Sequence, residues 1–430
     1  MDRNRIAAYA ALMDVEKKHA YSNLALNHQI ALHRPSAPAF VRRLVYGVLE
    51  NRMCLDYYID ALTTRGLDRI GRPELTILRM GIYQLAEMEK VPEYAAVNES
   101  VNLARRYASG AADFINAVLH AYIRRHLEIR LPDRTKDEVR YLSIKYSYAP
   151  WIIRLWMRHY ETPFVEELLR SGNETPATDL RLNWLKIVKE DLIDRLHAKG
   201  YEVLEGRFSS NALHVRGGDL LSNNLYKNGF YSIQDEASQY AVQLLAPAKG
   251  DTVMDVCAAP GGKTMAIAER MNNMGTIIAS DIYRRKVDLI DREARRLGIT
   301  NVKTRTWDAT RVDSSLVSTA DKVLVDAPCS GLGVVRRKPE IKYRELTEQM
   351  KTLPHTQLSI LSAASKYVKP GGVLMYCTCT INPDENEYVV SDFLRRESGF
   401  RMDLSRQLLP NVDGTDGFYI CRMVRENSFL

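Results

Sequence analysis

The sequence predicts an α/β protein whose largest part is a doubly wound parallel sheet, preceded by an all-helical part and a small α/β unit. Three observations carry that expectation. From about residue 236 to 430, short apolar runs alternate with helical patterns, the signature of a parallel sheet covered on both faces. Two of these runs, Val323-Leu324-Val325 and Val373-Leu374-Met375-Tyr376, are rich in β-formers and close on turn residues, as buried strands do. Residues 1 to about 130 instead hold apolar positions at helical spacing throughout.

At 430 residues the chain exceeds one typical core, and a prior of about 150 residues per domain gives two or three domains. Its 46% hydrophobic and 26% charged residues are ordinary for a globular protein. A net charge of +7 suits a polyanionic partner without demanding one. The six cysteines are sparse and form no paired C-x-x-C zinc spacing, and the nine histidines do not cluster, so no metal is expected. The start, Met1-Asp2-Arg3-Asn4-Arg5-Ile6, has no apolar signal core, and no run approaches the roughly 18 apolar residues that cross a bilayer. A reducing, cytoplasmic compartment and no membrane partner are therefore expected, and the protein is expected to be a monomer.

The front part reads as helix in Ala7-Tyr9-Ala10-Leu12-Met13, Val41-Leu44-Val45-Val48-Leu49 and Leu75-Leu78-Ile82-Leu85. Pro73 and Pro92 sit near helix starts, where the fixed φ of proline is tolerated. An amphipathic segment, Tyr94 to Tyr107, precedes a last helix that begins at Phe114-Ile115-Asn116-Ala117-Val118-Leu119. Val97-Asn98-Glu99, Ala104-Arg105-Arg106-Tyr107 and the Phe114 run together resemble the helical fold of the antitermination factor NusB, a family that binds RNA and protein partners. On that resemblance residues 1–130 form a NusB-like RNA-binding domain, with Arg42, Arg43, Arg105 and Arg106 either meeting phosphates or forming a solvated face.

Residues 131–175 stay helical but aromatic, with Trp151, Trp156 and Tyr160, and read as a connector that ends near Gly172 and Pro176. Residues 176–235 follow as a small α/β unit. Leu180-Arg181-Leu182-Asn183-Trp184 alternates like a strand, Glu190 to Leu196 is a helix stopped near Gly200, and Tyr201-Glu202-Val203-Leu204 and Ala212-Leu213-His214-Val215 are further strands. Strand, helix, strand, strand suits a small RNA-recognition-like sheet.

The main domain, 236–430, opens with Thr252-Val253-Met254-Asp255-Val256 and the corner Cys257-Ala258-Ala259-Pro260-Gly261-Gly262-Lys263-Thr264. Glycine admits close approach of a ligand to the backbone, and the N–H groups opening the next helix favour a carboxylate or phosphate. A second strand, Thr276 to Ser280, ends in Asp281, an acid about 20 residues past the glycines that suits ribose hydroxyls. A third, Val302 to Thr306, leads to Trp307-Asp308, which places another carboxylate at the rim for an adenine amino group. The loop departs from G-x-G-x-x-G, which argues against a dinucleotide. The three acids point to an adenosine-containing cofactor.

Two cysteine corners close the remaining strands, Asp326-Ala327-Pro328-Cys329-Ser330-Gly331 and Tyr376-Cys377-Thr378-Cys379-Thr380. Ligand crevices in open α/β sheets lie beyond the carboxyl ends of the strands, so Cys329 and Cys379 are expected to face one pocket. A lone strand-end cysteine is more often a small buried hydrophobe, but two together with Asp326 point to chemistry. The Asp326–Gly331 run resembles the motif of RNA cytosine-C5 methyltransferases of the NOL/Sun type. Tyr376 to Thr380, with Asn382-Pro383-Asp384-Glu385-Asn386 downstream, resembles that family's second cysteine motif, and Cys257 to Thr264 its S-adenosylmethionine loop. The resemblance runs nearly end to end and is most specific over the last 200 or so residues.

The resemblance implies a Rossmann-like S-adenosylmethionine-dependent methyltransferase domain that methylates C5 of a specific cytosine in 16S rRNA, in a loop or single strand. It implies Cys379 as the nucleophile and Cys329 as the group that assists release. It also implies Asp326 on the exocyclic amine or N3 of the base, and Lys263 beside Asp326 or the base. Cys257, Ala258, Ala259, Pro260, Gly261, Gly262, Lys263, Asp281, Asp308 and Asp326 would hold S-adenosyl-L-methionine. Cys377 and Cys257 are expected to pack. The residues alone do not divide the roles of Cys329 and Cys379, since DNA-modifying relatives use the earlier position. Arg336-Arg337-Lys338, close behind Cys329, are candidates for phosphate contact or for a solvated loop. Three rivals stay open: a non-catalytic RNA-binding scaffold, a small-molecule methyltransferase, and the same chemistry on another rRNA or a tRNA. Paired cysteines speak against the first and the front 230 or so residues against the second.

Overall fold

The protein is described by a computed structural model over residues 2–18, 20–345 and 347–427. The chain divides into a first unit that runs to Glu174 and also takes in Val335–Glu345, and a second made of Thr175–Val334 and the chain beyond Glu345.

In the first unit the α-helices among the described residues are Arg3–Lys18, Ser22–His33, Pro38–Glu50, Arg52–Leu62, Arg72–Glu87, Glu93–Tyr107, Ala112–Arg125, Glu138–Tyr146, Pro150–Met157 and Thr162–Ser171. Four of them carry proline in the first turn, where no N–H partner is lost. The apolar positions read from the sequence, among them Leu12, Leu44, Val45, Leu78 and Ile82, meet Leu119 in one core. Arg79 lies inside it and is held by Asp56 at 2.6 and 2.8 Å and by Glu16. Arg42 and Arg43 are exposed but tied to Asn27 and to the Glu87 carbonyl, while Arg105 and Arg106 lie on an exposed face.

Val335–Glu345 packs into this helical unit as a short 3-10 turn, Pro339–Tyr343. Lys342 is fully buried, and its ammonium donates to the carbonyls of Glu50 (2.7 Å) and Tyr146 (3.2 Å) and to Asn173 Oδ1 (2.7 Å). Glu50 and Tyr146 each end a helix, so the cation lies at two negative helix ends. Burial pulls its pKa down to about 7. Arg336, Arg337 and Lys338 are thereby half-buried rather than exposed in a loop, with the Lys338 ammonium 4.8 Å from the centre of the Tyr21 ring.

The second unit begins with an antiparallel sheet of β1 (Thr178–Leu182), β2 (Glu202–Glu205), β3 (Ala212–Arg216) and β4 (Tyr231–Ile233), in the order β2-β3-β1-β4. β4 was not expected: it is three residues long and leads directly into a helix, so its sequence shows no period. It pairs with Leu180–Leu182 of β1. Alternation along β1 turns Leu180 and Leu182 into a core with Leu192, Leu196 and Leu213, and turns Arg181 the other way. Arg181 is 2% exposed. Its guanidinium grips both oxygens of Glu269 at 2.9 Å and donates to the Gly262 carbonyl at 2.6 Å, at the first residue of helix Gly262–Arg270.

The main sheet contains β5 (Thr252–Asp255), β6 (Thr276–Asp281), β7 (Val302–Thr306), β8 (Ala320–Asp326), β9 (Val368–Thr378), β10 (Phe400–Leu408) and β11 (Phe418–Arg425), in the order β10-β11-β9-β8-β5-β6-β7. β5 to β9 are parallel to one another, and both faces of β9 are buried, Met375 and Cys377 on one side and Leu374 and Tyr376 on the other. To the expected parallel sheet the structure adds two strands at one edge, β10 and β11, joined to it by antiparallel pairing. β11 runs antiparallel to both β10 and β9. The connection Leu409–Gly417 is too short for the crossover of a dozen or more residues that a parallel pair requires.

Removing the cation from the Arg181–Glu269 pair leaves a carboxyl with no partner in the interior, where burial already pushes its pKa up. Arg181→Met is expected to cost about 3–5 kcal/mol in urea unfolding, and adding Glu269→Met to recover most of that loss.

Candidate active site

β8 and β9 lie side by side with Asp326 opposite Cys377, so the two cysteine corners leave the sheet at the same level. The Ala327 N–H extends the pairing by one bond to the Cys377 carbonyl (2.9 Å). The chains then separate and meet again. The Gly333 N–H donates to the Cys379 carbonyl (3.0 Å), and the Gly417 N–H donates to the Gly333 carbonyl (2.8 Å). This crossing needs glycine, because a Cβ on Gly333 would lie 1.8 Å from the Gly417 oxygen. As a result the sulfurs of Cys329 and Cys379 lie 3.3 Å apart, within hydrogen-bond reach of each other.

Next to them, Lys263 Nζ donates to Asp326 Oδ2 at 2.7 Å and sits 4.9 Å from the centre of the Phe418 ring. Burial works against the ammonium, but Asp326 outweighs it and holds the Lys263 pKa up; Cys377 and Cys379 add in the same direction. The Cys329 thiol is pushed well up, first by its hydrogen bond with Cys379, then by burial and by the charges of Cys379 and Glu385. Cys377 is fully buried, and burial holds its thiol well up, as it does that of Cys257. Both pack, as expected.

The glycine corner continues along the same sheet edge. Ala258 N–H bonds the Ser280 carbonyl of β6 (2.8 Å), and Gly261 N–H closes a turn on the Ala258 carbonyl (2.7 Å). Gly261 has φ +108°, a conformation that side-chain-bearing residues rarely adopt, and it caps helix Gly262–Arg270. Thr264 Oγ1 donates to Asp255 Oδ2 at 2.7 Å, while Asp255 Oδ1 is buried without a hydrogen-bond partner; burial lifts this carboxyl to about 7. Asp281 ends β6 and accepts the Tyr283 N–H at 3.1 Å. Asp308 lies beyond β7 and closes its own turn, with Oδ1 accepting the Thr310 hydroxyl (2.7 Å) and N–H (3.0 Å).

The structure thus brings Lys263, Asp326, Cys329 and Cys379 to one point, with Cys257 to Gly262, Asp281 and Asp308 at the ends of the neighbouring strands. Ser330, Gln357, Thr380 and Glu385 were not singled out from the sequence. They form a buried polar group behind the two sulfurs. Glu385 carried a signal only as a letter of the Asn382–Asn386 run.

Three family models match in succession: the NusB family over residues 2–124, a methyltransferase RsmF/B-like ferredoxin-like domain over 148–219, and 16S rRNA methyltransferase RsmB/F over 242–424. The probable ribosomal RNA small subunit methyltransferase B of Bacillus subtilis is 36% identical to this chain over 440 residues, spanning 97% of this chain and 98% of its own. The protein of that name from Synechocystis is 31% identical, over 97% of this chain and 98% of its own. Among solved structures, that of PH0851 superposes with a TM-score of 0.85 at 24% identity, covering 98% of this chain and 99% of the other, a likeness of fold.

Gly333→Ala forces the two corners apart. It is expected to destabilise the protein by about 1–3 kcal/mol in thermal or urea melts, and to slow oxidative cross-linking of Cys329 to Cys379, read by mass spectrometry.

Proposed function

We propose that this chain, which belongs to the 16S rRNA methyltransferase RsmB/F family, methylates C5 of a cytosine in 16S rRNA through a transient bond between Cys379 and C6 of the base. The observation that carries this reading is the pair of sulfurs 3.3 Å apart at two strand ends, beside the Lys263–Asp326 pair. A protein that only held RNA would have no use for that arrangement.

S-adenosyl-L-methionine supplies an electrophilic methyl group on a sulfonium centre. The residues present fit it. The Gly261–Gly262 corner keeps backbone N–H groups open at a helix start for a carboxylate. Asp281 suits the ribose hydroxyls and Asp308 the adenine amino group, with Cys257 to Pro260 lining the turn between them.

C5 of cytosine is a weak nucleophile, and covalent addition splits one hard step into easier ones. The Cys379 thiolate gives a lone pair to C6; the C5=C6 pair shifts and leaves C5 electron-rich. Asp326 bonds the exocyclic amine or N3, and Lys263 holds Asp326 in place and favours the nearby thiolate. Once C5 carries the new methyl group, its original proton has to leave. The hydrogen bond and charge of Cys379 are among the influences that hold the Cys329 proton on, beside burial and Glu385, and both vanish when Cys379 is bonded to carbon. Cys329 then gives its proton to water and takes the one from C5. The C–H pair re-forms C5=C6, the C6–S bond breaks, and the thiolate returns to Cys379. The target base leaves its stack to reach the crevice, a cost of about a few kcal/mol that is least in a loop.

Cys379→Ala is expected to abolish both methyl transfer and the RNA-linked species in denaturing gels. Cys329→Ala is expected to accumulate that species, and the opposite pattern would exchange the two roles. Bisulfite mapping of rRNA from cells with and without the protein identifies the base; a protection that disappears from tRNA instead overturns the substrate.

A further inference from the structure

Two identical thiols 3.3 Å apart pose a question of symmetry. When the pair loses one proton, the other is shared, and only the surroundings decide which sulfur keeps it. Resting on the reading above, we propose that Glu385 is a positioning residue that locks the two cysteine corners together and keeps the shared proton on Cys329, so that Cys379 is the sulfur that attacks.

Glu385 is 1% exposed and is surrounded by donors. The Ser330 N–H (2.8 Å) and the Gln357 amide (3.0 Å) reach Oε2, while the Ser330 hydroxyl (2.5 Å) and the Asn382 amide (2.9 Å) reach Oε1. Three N–H donors and one hydroxyl face its two oxygens, a setting that suits a carboxylate. Gln357 also donates to the Pro328 carbonyl at 2.9 Å, so Glu385 holds, directly or through one amide, the residues on both sides of Cys329. The other corner is bound to the same point. The Ser330 hydroxyl has spent its hydrogen on Glu385, so the Thr380 hydroxyl, one residue past Cys379, is the donor in their 2.7 Å contact. The Tyr376 hydroxyl fixes the Glu385 backbone carbonyl from β9 at 2.6 Å.

The charges around the pair are therefore arranged unequally. Glu385 acts on Cys329, as does Cys379. Lys263 lies among Cys379, Cys377 and Asp326, with Asp326 as its salt-bridge partner. A negative group behind one sulfur and an ammonium near the other put the thiolate on Cys379 and the proton on Cys329. Removing the charge of Glu385 removes one of the two contributions to that bias.

The test uses the full chain without RNA or cofactor. Iodoacetamide alkylates thiolates, and peptide mass spectrometry reads Cys329 and Cys379 separately across a pH series. In the unaltered protein Cys379 is expected to react at least about tenfold faster than Cys329, the equivalent of one pKa unit. Glu385→Gln should shrink that ratio by about tenfold and move Cys329 alkylation to lower pH, whereas Glu385→Asp, which keeps the charge, should retain the ratio. An unchanged ratio in a folded Glu385→Gln variant overturns the proposal. Should that variant fail to fold, seen as alkylation of the buried Cys377 and Cys421, the unaltered protein decides: Cys379 first supports the proposal, and equal rates or Cys329 first overturn it. Because no RNA is present, a failure here is separable from a failure of the RNA reading, which would show as absent methyl transfer with the alkylation order intact.

Discussion

The structure of the site depends on one backbone crossing: the Gly333 N–H on the Cys379 carbonyl, with the Gly417 N–H on the Gly333 carbonyl. Side chains on two separate strand ends have many ways to miss one another, and two peptide hydrogen bonds remove most of them. The crossing works only because β8 and β9 enter in fixed register. A slip of one residue would send every β9 side chain to the opposite face and would exchange the cysteines for Thr378. β11 secures that register from the other side, pairing Ile420 with Cys377 and Tyr419 with Thr378. The antiparallel strands are thus part of the site. Gly417, which supplies one half of the crossing, is the residue before β11, and Phe418, whose ring lies near the Lys263 ammonium, is its first residue.

Much of this was legible in the sequence, and the reasons are physical. A buried parallel strand announces itself as an unbroken apolar run closed by turn residues, so β5, β6, β8 and β9 were located directly, although β8 and β9 begin earlier, at Ala320 and Val368, than the runs read for them. Asp281, Asp326, Cys329 and Cys379 followed, because parallel strands put their carboxyl ends on one edge. The front helices were legible for the same kind of reason, a period of 3.6 with proline at the starts. β4 was not, since three residues cannot display a period. β10 and β11 were not singled out either, and apolar content in any case says nothing about which way a strand runs. Arg336-Arg337-Lys338 were read as either a phosphate contact or a solvated loop, with no sign that the surrounding segment Val335–Glu345 packs into the helical unit. What buries it is the accommodation of one ammonium by three oxygens from distant segments, Glu50, Tyr146 and Asn173, which no local pattern encodes. Glu385 was hidden likewise: its donors are 3, 28 and 55 residues away in sequence.

Burial raises the cost of a thiolate at most of the cysteines, Cys329 included. An apolar setting disfavours the thiolate, and Cys54, Cys257, Cys377 and Cys421 are all pushed up by it, to about 11 for Cys54 and about 12 for Cys421. Cys377 shows how local the effect is. It is on the same side of the sheet as Cys379, two residues on, yet it packs against the core with Met375 and Ile420. Cys379 lies just past the end of β9 and borders that core with part of its surface exposed. In the proposed mechanism, the step from a packed sulfur to a reacting one is the step off the end of the strand.

In the proposed mechanism, the same geometry reconciles two demands on Cys329 that otherwise conflict. Before the base is attacked it should hold its proton, so that the thiolate belongs to Cys379; afterwards it should be free to accept one. A group with a fixed environment cannot do both well, because a sulfur that clings to its proton early also clings to it late. Here the largest influence holding the proton is the partner sulfur itself, 3.3 Å away. Bond formation at Cys379 consumes that influence, converting a charged hydrogen-bond acceptor into a neutral thioether. The proton affinity of Cys329 therefore falls at the stage when a base is needed, with no movement of the backbone. Close contact between two like groups, held by the Gly333 crossing and backed by Glu385, turns the progress of the reaction into its own switch.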